Sequence, residues 1–475
     1  MRHLTYWMLL VGFFPVGACA SSVQHHLDPV TSVIFWVTLL FLFGVLGRYV
    51  ALCLRQPGVL GELLMGVLVG NVCYFFGMQL AVILREGPAV FSIMRDLLTG
   101  VTLTEAVGLT IPDPHYAKQV MMALNSNQGI DLIKIAYVVD IFSRYGVIFL
   151  LFMVGLESSV ADLKQTGRES FQVAVIGVLA PILLGLLVGS LLMPDSSFHA
   201  HLFVAATLSA TSVGITARVL KEMKKLSTRE ARTILGAAMM DDILGLMILA
   251  IVSSLVISGL VNLVMVSKII IFAILFFSGA LWIGPWVLRQ AVNFFSFLEP
   301  WEAKLTIAFL FVMSLSWLAT LVQLATIIGA FAAGLIIHDG FFESRNHPHK
   351  NTLGLKELIA PLEALLAPLF FMLIGIQVKI ETFFDGHVLL IAGGLIVAAI
   401  LGKLLSGFGG HCKDDRMLIG IGMLPRGEVG LVFASIGKTL GVISDQMFSA
   451  IILMVIVTTL IAPLWLKARY KKHVA

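Results

Sequence analysis

Two adjacent carboxylates, Asp241 and Asp242, stand in the run AAMMDDILGLMILAIV, which starts at Ala237 and stays apolar or glycine after them until Ser253 and Ser254. The run is too apolar for a loop and lacks the alternation of a half-solvated strand, so it reads as a helix buried in protein or lipid. An ionised carboxylate in such a place is costly, and is either neutralised or kept for a purpose. The chemistry that such a pair offers is a change of protonation and charge rather than bond making. Lys403, late in AAILGKLLSGFGG, is the basic counterpart. Its stem is long enough to snorkel to the surface, but its better use is as the counter-charge of one aspartate. An unpaired buried lysine tends to lose its proton and an unpaired buried aspartate to keep one, so pairing ties proton occupancy to whatever else sits in the cavity.

Two segments that position these charges are rich in polar and small residues. LSATSVGITARVL concentrates Ser209, Thr211, Ser212, Gly214 and Thr216 in the middle of an apolar run. Small residues of this kind serve ordinary helix packing; the sharper expectation is an unwound stretch whose freed carbonyls and hydroxyls face an ion. GMLPRGEVGLV places Pro425 where it weakens a helix, followed by Arg426, Gly427 and Glu428. Arg426 and Glu428 are two apart and do not share a helix face. Arg426 is therefore expected to pair with a core acid and Glu428 with Arg218, in structural or conformational roles. Glu157 in LLFMVGLESS and Glu62 in LGELLMG lie near helix ends, where capping or snorkelling accounts for them.

The rest of the chain supplies the frame. Its 475 residues are 59% hydrophobic and 13% charged, which excludes an ordinary soluble domain. The net charge of +4, without a basic stripe interleaved with aromatics or zinc-finger spacing, gives no sign of nucleic-acid binding. The four cysteines include no CxxC and the twelve histidines no HExxH, so neither redox nor zinc chemistry is read from them. The start, MRHLTYWMLLVGFFPVGACASS, resembles a secretory signal peptide over residues 1–20, with a short retained helix as the alternative. Beyond it, thirteen candidate spans follow, at about 30–48, 58–79, 143–160, 171–193, 201–219, 233–257, 266–288, 305–320, 322–338, 360–377, 387–408, 416–437 and 445–466.

Lysine and arginine cluster after the odd-numbered spans, from Arg55 through the Lys221–Arg232 group to Lys467–Lys472, while the opposite loops hold little beyond Lys268, Lys379 and Lys438. The N-terminus is thus expected outside and the C-terminus in the cytoplasm. The long connection 80–142 contains amphipathic pieces without a charge-free span and is placed outside, as surface helices. The two interrupted spans lie seven apart, an odd offset that gives them opposite directions, as an inverted repeat does.

Taken together, LFMVGLE, ATSVGITARVL, MMDDILGLMILA, LFFMLIGIQV and GMLPRGEVGLVFASIG resemble, in order, the cation/proton antiporter superfamily, and within it the bacterial CPA2 branch of sodium/proton exchangers. The resemblance runs from about residue 30 to the C-terminus, apart from 80–142. It implies an all-α polytopic membrane protein with thirteen helices in an inverted repeat, two crossing discontinuous helices, and a core that moves against a dimerisation domain, usually in a homodimer.

It also implies that Asp242 is the carboxylate that takes either a cation or a proton, with Asp241 beside it as the partner of Lys403 and Thr211 and Ser212 near the crossover. Sodium would be bound by Asp242 and Asp241, with no cofactor. A related potassium-efflux group carries glutamine before the key aspartate and a C-terminal nucleotide-binding domain. Asp241 and the short tail instead favour an ungated, electrogenic Na+/H+ exchanger in the inner membrane of a prokaryote, an intracellular membrane preserving the same topology. Exchange of potassium or lithium by the same fold, or a cation channel, are the alternatives, and a channel lacks a repeated filter here.

Overall fold

A computed structural model describes residues 30–475 except 55, 112–113, 158–166, 213–214, 217–218, 221–222, 224, 226–227, 259–262, 323, 325, 343–352, 412–413, 427 and 473–475. The leader 1–20 and Arg218 therefore lie outside the described residues. So do the side chains of Asp242, Glu157 and Glu428, whose backbones are helical.

The described chain is all helical. Its helices are α1 (Thr31–Cys53), α2 (Gly58–Phe75), α3 (Gln79–Glu86), α4 (Pro88–Leu98), α5 (Leu103–Thr110), α6 (Pro114–Leu124), α7 (Gly129–Glu157), α8 (Arg168–Leu192), α9 (Phe198–Thr207), α10 (Arg229–Ser258), α11 (Leu263–Phe294), α12 (Pro300–Leu321), α13 (Thr326–Ile336), α14 (Leu355–Ile376), α15 (Gly386–Ser406), α16 (Arg416–Gly422), α17 (Glu428–Thr439) and α18 (Asp445–Lys472). Among the described residues, eight helices are long and apolar enough to cross a membrane, and the runs Leu244–Val256, Thr326–Ile336 and Val429–Thr439 are shorter apolar helices. Interior backbone in hydrocarbon must satisfy its own hydrogen bonds, which is why apolar runs of this length become helices. Large apolar side chains remain exposed on the outer helix faces, among them Trp282 at 88% and Leu183 at 65%, as expected of surface turned to lipid rather than water.

Two bundles emerge from the packing. The first joins α7 to α14 and α13, α14 to α2, α2 to α1, and α13 to α12. The second joins α8 to α15, α10 and α9, and α18 to α15, α16 and α17. α11 touches α10 on one side and α12 and α13 on the other, linking the two. Small residues set the closest approaches. A Cβ on Gly61 would overlap the Gly47 carbonyl and stand 2.6 Å from the Ala51 Cβ, so α1 and α2 pack backbone to backbone.

Several boundaries differ from the sequence expectation. The third span begins at Gly129 rather than near 143, because Asp131 pairs with Lys134 and Asp140 with Arg144 along its face, letting charged residues continue the helix. The connection before it forms short helices: α3–α6 enclose a small apolar core of Ile93, Ala106, Val107, Ile111 and Val120, and Leu80, Ile83, Leu84 and Val90 join a second core with α1, α7 and α14. Glu62 neither caps nor snorkels. It is fully buried, 2.6 Å from Arg48 Nε, and the pairing is set by the close α1–α2 approach just described.

Candidate ion-binding site

The second bundle holds two places where the backbone leaves the helix. α9 is capped at its start by Ser197, whose hydroxyl accepts from Ala200 N at 3.2 Å, and it ends at Thr207. Leu208 and Ser209 tighten the last turn by donating three residues back, to Ala205 and Ala206, and residues 210–212 are not helical. α16 is capped by Asp415, which accepts from Met417 N and Leu418 N at 3.1 and 3.2 Å. It ends at Gly422, and helix resumes at Glu428. Pro425 sits in that gap, where its missing N–H costs no helical hydrogen bond.

A helix end leaves carbonyls without intrahelical partners, and here each break serves the other. Ser212 N donates to the Pro425 carbonyl at 2.8 Å. The Thr211 hydroxyl donates to the Met423 carbonyl at 3.3 Å and the Thr216 hydroxyl to the Gly422 carbonyl at 2.7 Å. Arg426 Nη1 donates to the Ala210 carbonyl, and the Arg426 carbonyl accepts from the Thr459 hydroxyl of α18.

Beside the breaks, Lys403 of α15 donates to Asp241 Oδ2 of α10 at 3.0 Å, with both side chains at 0% exposure. The lysine's position is fixed by its neighbours in sequence. A Cβ on Gly402 would stand 2.7 Å from Pro181 Cα of α8, and one on Gly420 of α16 would stand 2.7 Å from Leu404 Cα. α15 is thus pressed between two helices at the turn that carries Lys403, and Gly177 on α8 leaves space for the ammonium, 3.5 Å from where a Cβ would be. Thr211 and the Arg426 charge lie beside the Asp241 carboxyl. Among the described residues, Asp241 Oδ1 makes no hydrogen bond although it is buried. Lysine thus meets one carboxylate oxygen, and the other accepts no hydrogen bond from any described residue.

The structure brings together Asp241, Lys403, Thr211, Ser212, Pro425 and Arg426. Asp242 is next along the same helix, and the expected Glu428–Arg218 pair falls outside the described residues. Arg426 sets its charge beside the core acid Asp241, while its hydrogen bond among the described residues goes to a carbonyl, because the unwound stretch offers an orphan acceptor at Ala210. Sequence reasoning passed over Thr459 entirely. A threonine in an apolar run carries no signal of the carbonyl it will meet.

Buried paired charge where two broken segments of an apolar helical bundle meet is the arrangement by which membrane transporters build ion sites. The family model for "Sodium/hydrogen exchanger, transmembrane" matches residues 37–472. The high-affinity Na(+)/H(+) antiporter NhaS3 of Synechocystis sp. is 35% identical over 98% of this chain and 95% of its own length. The Na(+)/H(+)-K(+) antiporter GerN of Bacillus cereus is 34% identical over 68% of this chain and 81% of its own. Among solved structures, the sodium proton antiporter MjNhaP1 from Methanocaldococcus jannaschii superposes with a TM-score of 0.57 at 18% identity, covering 94% of this chain and 98% of that one. The chain belongs to the sodium/hydrogen exchanger family.

Proposed function

We propose that the protein exchanges sodium ions for protons by alternating access, with Asp242 as the carrier carboxylate and the Asp241–Lys403 pair as its electrostatic setting. The observation that carries this reading is the fully buried 3.0 Å pair standing where the two breaks hydrogen-bond to each other. In this reading the breaks are two crossing discontinuous helices of a thirteen-helix inverted repeat, each supplying polar backbone at the midplane. The second bundle is the moving core, and the first mediates a homodimer. The N-terminus faces outward and the C-terminus the cytoplasm of an inner membrane, following the lysine and arginine distribution.

With the cavity open on one side, Asp242 releases its proton and coordinates a dehydrated monovalent cation, helped by the open Oδ1 of Asp241 and by the Thr211–Ser212 segment. Cation and proton compete for the same negative charge, so one displaces the other. Coupled carboxyls titrate as a pair, which lets proton release track cation binding. Rocking of the core carries the occupied site across, and an empty site crosses poorly because the Asp242 carboxylate would then enter the low-dielectric barrier without the cation or proton that neutralises it. Two protons against one sodium ion would move net charge and make the cycle electrogenic.

Potassium or lithium as cargo of the same site is the second reading. It is favoured by the similarity to GerN and to the K(+)/H(+) antiporter subunit KhtU of Bacillus subtilis, 27% identical over 74% of this chain. Sodium-dependent proton flux in proteoliposomes tests the assignment: Asp242→Asn is expected to abolish it, and wild-type-like flux in that variant rules Asp242 out as carrier. A sodium, lithium and potassium series on the wild type decides the cargo.

A further inference from the structure

The helices α3–α6 carry charge that the ion site does not use. Arg85, at 1% exposure, donates from Nη2 to both carboxylate oxygens of Glu381 at 2.7 Å, and Tyr116 donates to the same carboxylate at 2.9 Å. Glu86 lies 2.8 Å from Lys379 Nζ, and that ammonium, fully buried, also donates to Asp445 Oδ2 at 2.6 Å. Asp445 meets Lys438 at 3.2 Å through its other oxygen. Each cation in the cluster is thereby matched to an anion, and Lys379 is shared between two of them.

The location of these residues gives the cluster its meaning. Lys379 and Glu381 lie in the short connector that leaves α14, a helix of the first bundle, and leads into α15, a helix of the second. Asn71 of α2 grips that connector from the first bundle, donating to the Val378 carbonyl at 2.9 Å and accepting from Ile380 N at 3.2 Å. Lys438 and Asp445 form the corner between α17 and α18 in the second bundle. The α3–α6 segment touches both sides, through Arg85 and Glu86 on the connector and through packing of α4 against α17. Movement of one bundle against the other at this end must therefore part Lys379 from Glu86 or from Asp445.

We propose that α3–α6 act as a latch: Glu86 and Arg85 hold the 377–381 connector onto the α17–α18 corner, and release of the buried Lys379 pairs gates movement of the core. Buried pairs suit this task because they are costly to break singly and give two discrete arrangements rather than a continuum. The proposal rests on the alternating-access reading for its effect on turnover, but the latch contact can be measured without transport.

Full-length wild type, Glu86→Gln and Asp445→Asn in lipid nanodiscs are compared by hydrogen–deuterium exchange, and in proteoliposomes by sodium-dependent proton flux. Coupling through a shared lysine is reciprocal. Glu86→Gln is expected to speed uptake about threefold or more in 377–385 and 438–448, and Asp445→Asn to do so in 79–98. Turnover rises about threefold in Glu86→Gln while the KM for sodium stays within about twofold. Uptake changes confined to the mutated segment, or turnover that is unchanged or lower, overturn the latch. If one variant fails to yield monodisperse protein, the other decides by the same distant-segment criterion. A wild type without sodium-dependent flux would refute the exchange reading while leaving the uptake test of the latch intact.

Discussion

Replacing Lys403 by methionine keeps most of the side-chain volume and removes the ammonium. In the native protein both members of the Lys403–Asp241 pair are fully buried and 3.0 Å apart, and Asp241 Oδ1 has no hydrogen-bond partner among the described residues. The variant therefore leaves a carboxylate with one oxygen already unbonded and the other newly stripped. Breaking a buried pair in this way costs about 3–5 kcal/mol if the orphan stays ionised. The lower end is expected, since Thr211 and the Arg426 charge remain beside the carboxyl. Roughly 3 kcal/mol in a protein of this size lowers a melting midpoint on the order of 3 °C.

The deficit should shrink as the pH is lowered, because a carboxyl that binds a proton no longer needs the ammonium. The double variant Lys403→Met with Asp241→Asn should recover most of the loss, since no buried charge is then left alone. Melting in detergent followed by size-exclusion recovery, at two pH values, measures the first three quantities. The pH profile of sodium-dependent proton flux measures whether the pair also sets transport. A midpoint within about 1 °C of wild type, or an unchanged flux profile, refutes the reasoning, the first by showing that the pair holds no stability and the second by reducing Lys403 to a packing residue.

Three further outcomes follow from the geometry. Thr216→Val strips the Gly422 carbonyl of its donor at 2.7 Å and should cost about 1–3 kcal/mol of stability, while Thr216→Ser retains the bond; equal melting of the two would show that the carbonyl is satisfied otherwise. Gly61→Ala places a Cβ onto the Gly47 carbonyl and should lower the yield and midpoint of folded protein, by about 1–3 kcal/mol or more, with unaltered melting as the contrary result. Burial would raise the Glu381 carboxyl, but a backbone hydrogen bond, Arg85 and Tyr116 outweigh it and hold the group below the usual carboxylate range. Such a group stabilises the fold above its unfolded value of about 4.3 and loses that contribution as the pH falls through its lower folded value. Deuterium uptake in 79–124, corrected for intrinsic rate, should thus be flat from neutrality to about pH 5 and rise only in stronger acid; a rise already at pH 6 would point to another group.

How far the site could be read in advance depended on how isolated each charge is in its segment. Asp241 and Lys403 were legible because each interrupts a long apolar run, and a buried charge has few ways to be satisfied other than by its opposite. The breaks were legible from Pro425 and from the Ser–Thr cluster at 209–216, since both residue types compete with helical hydrogen bonding. The partner of Glu62 was not legible because its burial depends on how closely α1 approaches α2, which Gly47 and Gly61 permit but do not announce. The cluster around Lys379 was not legible as a cluster, although Lys379 and Lys438 stood out as lysines in loops that hold few. Its members come from separate stretches between Asn71 and Asp445, each an ordinary charged or polar residue near a helix end, and only the packing of α3–α6 onto the connector brings them together.

The two buried cations near the breaks take different partners, and their chemistry explains the division. Arginine carries a rigid fork of donors and stays charged, which suits fixed acceptors such as the Ala210 carbonyl of an unwound strand. Lysine is a compact charge whose proton responds to its surroundings, which suits its place beside Asp241 if that carboxylate changes charge in the proposed cycle. Arg426 thereby ties the two breaks together through the Ala210 carbonyl, while its own carbonyl accepts from the Thr459 hydroxyl of α18. Lys403 lies 3.0 Å from one oxygen of Asp241, whose other oxygen accepts no hydrogen bond among the described residues, so in the proposed exchange it is the cation whose surroundings answer to the cargo.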